Sequence, residues 1–191
     1  LSNVKAMEAT ENFIPGDINM AFLPYHHTFG SVGQTVMLAC GVATAYCDGL
    51  KYLQKNLVEY KVSVFFCVPL LIESIYKRVM QTVKKQGKEK TLAFGVKLTR
   101  FLNALHIDVR RKLFAQVLEG LGGNIKYFVV GGAALNPEVA NAFADFGIKV
   151  TQGYGITECA PLISVVPFNE TNPASCGKLM PGMQIFIDKA K

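Results

Sequence analysis

Ile125-Lys126-Tyr127-Phe128-Val129-Val130-Gly131-Gly132-Ala133-Ala134-Leu135-Asn136-Pro137-Glu138 is the stretch whose reading decides the fold. Its first six residues are mostly β-branched and aromatic, which reads as a strand. The strand runs directly into glycines and alanines. Asn136 then makes a good helix N-cap, Pro137 fits the first helical turn, and Glu138 complements the positive end of the helix dipole. Gly147 ends that helix after Phe146. A second short strand over 149–152 follows at once. Two strands joined by one helix lie side by side and parallel.

The same alternation extends toward the amino terminus. Val62-Ser63-Val64-Phe65-Phe66-Cys67-Val68 is apolar, lacks polar alternation and is stopped by Pro69. It reads as a buried parallel strand. Residues 18–23, stopped by Pro24, and 41–47, closed by the turn Asp48-Gly49, read as two more strands. Helices are expected over 28–40, 50–60 and 70–85, the last from the stripe Leu71, Ile72, Ile75, Val79, Val83. Further helices are expected at 91–104 and 107–119, and a last strand at 183–187 after a turn-rich tail. The fold class is therefore α/β, a mostly parallel sheet with helices on both faces. No internal repeat or low-complexity segment is present. Leu1 is not an initiator methionine and Lys191 directly follows an expected strand, so both ends read as cuts within a longer protein.

Composition narrows the class. Half of the 191 residues are hydrophobic and 18% are charged, which excludes a disordered chain. No apolar run reaches the roughly 20 residues of a membrane-spanning helix, and the first residues lack a signal-peptide layout. Cys40, Cys47, Cys67, Cys159 and Cys176 form no C-x-x-C pair, four of them sit in apolar sequence, and they read as reduced, buried thiols of a cytosolic protein. Cys159, beside Glu158, is the one placed to face a pocket. Between Lys84 and Lys112 lie nine basic and two acidic residues, so this segment carries +7 of a total of +6. It reads as a solvated helical surface or as a surface for an anionic partner, such as a membrane or an acidic substrate. Nucleic acid is disfavoured, because no stacking aromatics alternate with these charges.

Three strand ends carry unusual loops. Gly131-Gly132-Ala133-Ala134 lets a flat ligand approach the backbone closely. Gly153-Tyr154-Gly155-Ile156-Thr157-Glu158 packs a ring, a hydroxyl and a carboxylate into one turn, a set that suits a base, a phosphate and a metal. Leu23-Pro24-Tyr25-His26-His27-Thr28-Phe29-Gly30 delivers two histidines. Adjacent histidines cannot both face one site from a strand, and no third ligand is near, so zinc is not expected. Open α/β sheets bind ligands outside the carboxyl ends of their strands, which is where all three loops belong.

In this order these motifs resemble the adenylate-forming, AMP-dependent synthetase and ligase superfamily. The residues that carry the likeness are Leu-Pro-x-x-His at 23–27, Gly-Gly-Ala-Ala-Leu at 131–135 and Gly-Tyr-Gly-Ile-Thr-Glu at 153–158, with a weaker match in Gly177-Lys178-Leu179-Met180-Pro181-Gly182. Residues 62–69, the helix with Glu73-Ser74-Ile75-Tyr76 and the basic helical segment look most like the long-chain fatty acyl-CoA ligases. The resemblance covers nearly the whole chain and identifies 1–191 as a central fragment of an AMP-binding domain. It implies ATP-dependent activation of a carboxylate to an acyl-adenylate, then thioester formation with coenzyme A, with AMP and pyrophosphate released.

By the family pattern His27, Thr157 and Glu158 are catalytic. Glu158 ligates Mg2+ and Thr157 bonds the α-phosphate. Gly131, Gly132, Ala133, Ala134, Gly153, Tyr154 and Gly155 line the nucleotide site, and Gly153, Gly132 and Phe29 approach the acyl group. ATP, AMP, Mg2+ and coenzyme A are the implied ligands, and a fatty acid and the remaining domains of the same chain are the implied partners. A peripheral membrane contact through 84–112 fits the same picture. Ala134 stands where many relatives have proline, and Leu70 where long-chain ligases often carry arginine. The loop that grips the ATP phosphates is expected before Leu1. The ribose-binding aspartate and the catalytic lysine are expected after Lys191. The fragment alone is therefore expected to be inactive. Two other readings fit the residues: a ligase for medium-chain, aryl or amino acids, and a non-catalytic nucleotide- or membrane-binding module.

Overall fold

Seven strands form one sheet in the order β2-β1-β3-β4-β5-β6-β7 in a computed structural model that describes residues 2–170 and 172–188. Leu1 and Lys191 lie outside the described residues. The first five strands are parallel: β1 (Ile18–Ala21), β2 (Ala43–Tyr46), β3 (Val64–Cys67), β4 (Tyr127–Val130) and β5 (Lys149–Gly155). Then β6 (Leu162–Val165) and β7 (Lys178–Leu179) close the edge antiparallel. From β1 the chain steps outward to β2 and then returns past β1 to β3. The strand order reverses there, which opens a crevice at the carboxyl ends.

Period-two alternation along the central strands builds two cores. Phe65, Cys67, Phe128 and Val130 point to one face. There they meet α3 (Leu53–Glu59), α4 (Pro69–Lys85), α7 (Ala115–Glu119) and α8 (Pro137–Asp145). Val64, Phe66, Tyr127 and Val129 point to the other, against α1 (Ser2–Thr10) and α2 (Thr28–Ala39). Phe128 sits edge-on to Phe143 with ring centres 5.0 Å apart. Fully burying one such ring contributes roughly 1.5–3 kcal/mol. The long connection from β3 to β4 also carries α5 (Glu89–Ala104) and α6 (Arg110–Leu113).

The sheet, its parallel centre and the helices on both faces agree with the sequence, and three segments differ. The helix expected over 107–119 is broken at Phe114, which turns inward and packs on Phe146 with ring centres 5.2 Å apart. Arg111 holds the break in place by donating to the carbonyls of Ile125, Gly147 and Gly123. The strand expected at 183–187 does not form. Phe186 and Ile187 are exposed, and the last pairing is made by Lys178 and Leu179 instead. The third difference is at 153–158: β5 continues through Gly155, so the first half of this motif is strand rather than loop. Of the five cysteines, all free, only Cys67 is buried, so three of the four with apolar sequence neighbours remain half-exposed. Burial pushes the Cys67 thiol far up from its ordinary range.

At the amino-terminal edge of the sheet, buried Asp17 ties three strands together. Its carboxylate accepts from Lys126 Nζ at 2.6 Å, from Ser63 Oγ at 2.9 Å and from the Ile14 amide at 3.3 Å. Ser63 Oγ in turn accepts from the Ile18 amide. Asp17→Ala leaves these donors facing a void and, with Lys126 half-exposed, is expected to destabilise the fold by about 2–3 kcal/mol. Urea denaturation checks this, and a change below about 0.5 kcal/mol, the range of surface substitutions, would contradict it.

Glu11 is the opposite case, a buried carboxyl whose two oxygens have no hydrogen-bond partner among the described residues. Burial pushes its pKa up from 4.5 to about 8, against the pull of Lys149. Below pH 4.5 both folded and unfolded chains hold the proton. Between pH 4.5 and 8 the unfolded chain releases it first, so stability falls as pH rises through this window. Glu11→Gln is expected to stabilise the protein more at pH 8 than at pH 5. An equal effect at both pH values, read by thermal unfolding, would refute the assignment.

Candidate active site

The carboxyl ends of β4 and β5, the amino end of α2 and the β5–β6 hairpin enclose a cavity of about 370 Å³. Three segments far apart in sequence meet in its wall. His27, Thr28 and Phe29 come from the turn after β1, Gly131 and Gly132 from the end of β4, and Gly153, Gly155, Thr157 and Glu158 from the end of β5.

His27 caps α2. Its Nδ1 accepts from the Phe29 amide at 3.3 Å, so in the neutral ring the proton resides on Nε2. The ring therefore offers an N–H donor beside the positive end of a helix of 12 residues, a combination that favours an anion. Thr28 adds a hydroxyl. Its Oγ1 is buried in the cavity wall without a hydrogen-bond partner among the described residues. Buried hydroxyls are normally paired, so this one is poised for a ligand atom. No local signal marks it in the sequence, because its isolation arises from tertiary packing.

The β5–β6 connection is a tight hairpin. Gly153 pairs with Val165 and Tyr154 with Ser164, and the register shifts between Tyr154 and Gly155. The Ile156 amide donates to the Pro161 carbonyl at 2.8 Å, and Thr157–Cys159 form a single 3-10 turn inside the loop so closed. A Cβ on Gly155 would lie 2.1 Å from the Pro161 oxygen, so only glycine fits this crossing. Thr157 and Glu158 thus sit on a short, backbone-clamped turn at the cavity rim. Both are exposed, and neither side chain has a hydrogen bond or ion pair among the described residues.

The other residues singled out from sequence are placed differently. Alternation along β5 sends Gly153 and Gly155 toward the cavity and Tyr154 to the opposite side, where it is half exposed and outside the cavity wall. Ala133 and Ala134 lie exposed on the turn after Gly132, and His26 is exposed; none of the three lines the cavity. Cys159 is half-buried and does not line it either. Two further residues matter. Gln152 Oε1 accepts from the Leu135 amide at 2.9 Å, which fastens the 131–135 turn to β5. Gly131 lies against Phe29, with an added Cβ only 3.2 Å from its ring, so any larger residue would push the turn away from α2.

The donor set has a definite chemistry. Amides of a helix start, the His27 Nε2–H and the hydroxyls of Thr28 and Thr157 suit phosphate or carboxylate oxygens. The free Glu158 carboxylate is a hard oxygen ligand. One or two carboxylates plus substrate phosphates are how Mg2+ is usually bound, so these residues fit that ion.

The family model for the AMP-binding enzyme matches residues 1–191. Long chain acyl-CoA synthetase 6, peroxisomal, of Arabidopsis thaliana is 28% identical over 97% of this chain and 28% of its own length. Long-chain-fatty-acid--CoA ligase 1 of Homo sapiens is 31% identical over 82% of this chain and 23% of its own. The chain thus spans between a fifth and a third of the length of these relatives. Among solved structures, E. coli MenE with bound OSB-AMS superposes with a TM-score of 0.65 at 17% identity, over 98% of this chain and 32% of that one. ATP-bound MatB from Rhodopseudomonas palustris gives 0.64 at 19% identity, over 95% and 29%. At such identities the superpositions speak for the fold alone, and the family match covers every residue: the chain belongs to the AMP-binding enzyme family of adenylate-forming ligases.

Proposed function

We propose that the chain is the central portion, 1–191, of the AMP-binding domain of a long-chain fatty acid–CoA ligase. The observation that carries this reading is the convergence of His27, Gly131–Gly132 and Thr157–Glu158 on one cavity at the carboxyl ends of parallel strands. Adenine lies against the exposed backbone of 132–134, with Tyr154 at its edge. The phosphates extend toward the start of α2 and the Thr157 turn.

The reaction begins when a carboxylate oxygen attacks the α-phosphorus of ATP and the bond to pyrophosphate breaks. The thiol of coenzyme A then attacks the acyl carbon, and AMP leaves. Little covalent chemistry falls to the protein, so positioning and charge neutralisation dominate. Thr157 donates its hydroxyl to an α-phosphate oxygen. His27 donates from Nε2 to the carboxylate or the phosphate, and its cap on α2 fixes the ring for that task. Glu158 holds Mg2+, which when bound neutralises the phosphate oxygens. The phosphate-gripping loop and the catalytic lysine belong to the rest of the protein, so the 191 residues alone are expected to show no turnover.

The long-chain preference rests on the relatives named above and on the helical segment between β3 and β4. ATP–pyrophosphate exchange by the whole protein, run with long-chain, medium-chain, aryl and amino acids, tests it. The expected result is exchange dependent on long-chain fatty acid. Exchange with an amino or aryl acid alone would shift the substrate class, and exchange with none would refute the enzyme reading. The protein is read as cytoplasmic from its free thiols, with a peripheral membrane contact through the basic segment 84–112. Among the described residues no helix is long and apolar enough to cross a membrane.

A further inference from the structure

A second cavity lies on the opposite face of the sheet and shares no lining residue with the first. Its walls come from α3, α4, α5 and α7 and the turns beside them, and its volume is about 530 Å³, within the range of small-molecule sites. The interior is apolar, with Leu57, Ile75, Val83, Leu92, Phe114 and Leu121 around it.

Charge at this cavity has one sign. Arg78, Lys85 and Lys88 line it, and among the described residues no acidic one does. Lys88 Nζ is held by Gln116 Oε1 at 2.9 Å. Arg78 and Lys85 are exposed and make no side-chain hydrogen bond or ion pair among the described residues. This contrasts with the nearby arginines of the basic segment. Arg100 is paired with Asp145, Arg110 with Asp108, and Arg111 is committed to three carbonyls. The segment's arginines serve the fold, whereas Arg78 and Lys85 stand at the cavity without a partner among the described residues; Lys84, Lys90, Lys97 and Lys112 do not line it.

The cavity also has an apolar approach. Phe94 and Leu98 line it and continue along α5 as a stripe with Phe101 and Leu105, at helical spacing and with 68%, 38%, 64% and 55% of each residue exposed. Apolar walls, an apolar entrance and unpaired cations of one sign match a ligand with a hydrocarbon chain at one end and an anion at the other. We propose that this cavity binds a single-chain amphiphile with an anionic head. The chain lies among Leu57, Ile75, Leu92 and Phe114, and the head meets Arg78 and Lys85. The site is separate from the catalytic cavity, and the inference does not rest on the activity proposed above.

The test titrates the whole protein with hexadecyl sulfate below its micelle-forming concentration. This anion has no carboxylate to activate. Calorimetry is expected to show a saturable site that Arg78→Glu/Lys85→Glu weakens at least tenfold. Hexadecanol, without the charge, is expected to bind at least tenfold more weakly than the sulfate. Leu98→Glu, an exposed change at the entrance, is expected to weaken the sulfate as well. Three results would overturn the proposal. One is no saturable site, as when another segment of the protein fills the groove. The second is an isotherm that neither variant changes, which places the probe elsewhere. The third is binding only to phosphatidylglycerol vesicles and not to the monomeric probe, which makes the face a membrane contact.

Discussion

Gly155→Ala is expected to lower acid-dependent pyrophosphate exchange by about 100-fold, the scale of a misplacement of roughly 1 Å in a positioned site. The added methyl would lie 2.1 Å from the Pro161 oxygen and 2.8 Å from its carbonyl carbon, closer than real Cβ contacts come. Both atoms are backbone, so no side chain can swing aside. Pro161 must move, and its carbonyl is the acceptor that closes the hairpin through the Ile156 amide. Thr157 and Glu158 ride on the turn inside that closure. The turn at 155–158 is exposed at the rim, but Pro161 is buried and Val165 of the same hairpin belongs to the core on the α2 face, so stability falls as well. Exchange is therefore compared below the unfolding midpoint of the variant, where the loss read is that of the folded protein. Parental exchange in this variant would mean that the Thr157–Glu158 turn does not position the reacting groups.

Glu158→Gln is expected to slow adenylation by about 10²–10³-fold, the scale of losing one electrostatic contact to the transition state. The amide keeps the shape and loses the charge that a hard divalent cation needs. Glu158 has no partner among the described residues, so its neutralisation leaves the fold within about 0.5 kcal/mol of the parent. The distinguishing sign is the Mg2+ dependence: half-saturation is expected to move to higher Mg2+ in the variant. An unchanged rate and an unchanged Mg2+ profile would remove Glu158 from the metal role.

The β4–α8–β5 unit was readable because each of its signals is local. Asn136 Oδ1 accepts from the Glu138 amide at 2.9 Å, Pro137 opens the helix, and Gly147 ends it with φ +80°. The antiparallel edge was not readable. Residues 162–165 are too short to declare a strand, and they pair only because the hairpin folds them back on β5. The run 183–187 has strand-like residues but pairs with no strand among the described residues, so composition alone misleads there.

The site shows the same division. Motif spacing marked Gly131, Gly132, Gly153, Gly155, Thr157, Glu158 and His27, and the fold brings all seven to one cavity. It does not bring Tyr154, Ala133 and Ala134 into that wall. For Tyr154 the cause is that β5 extends through Gly155 and its side chains alternate. Thr28 and Gln152 carried no local signal, since an unpaired hydroxyl and a cross-loop hydrogen bond exist only once the chain is folded. The basic segment was half readable: its charge was plain, but not that its arginines are tied to Asp145, Asp108 and backbone carbonyls.

The three motifs are proposed to form one nucleotide and acyl-adenylate site. A crystal structure of the whole protein with a non-hydrolysable acyl-adenylate analogue tests it most directly. The phosphate mimic is expected between His27 and Thr157, with the adenine against 132–134. An analogue bound away from the Gly131–Gly132 and Thr157–Glu158 turns would contradict it.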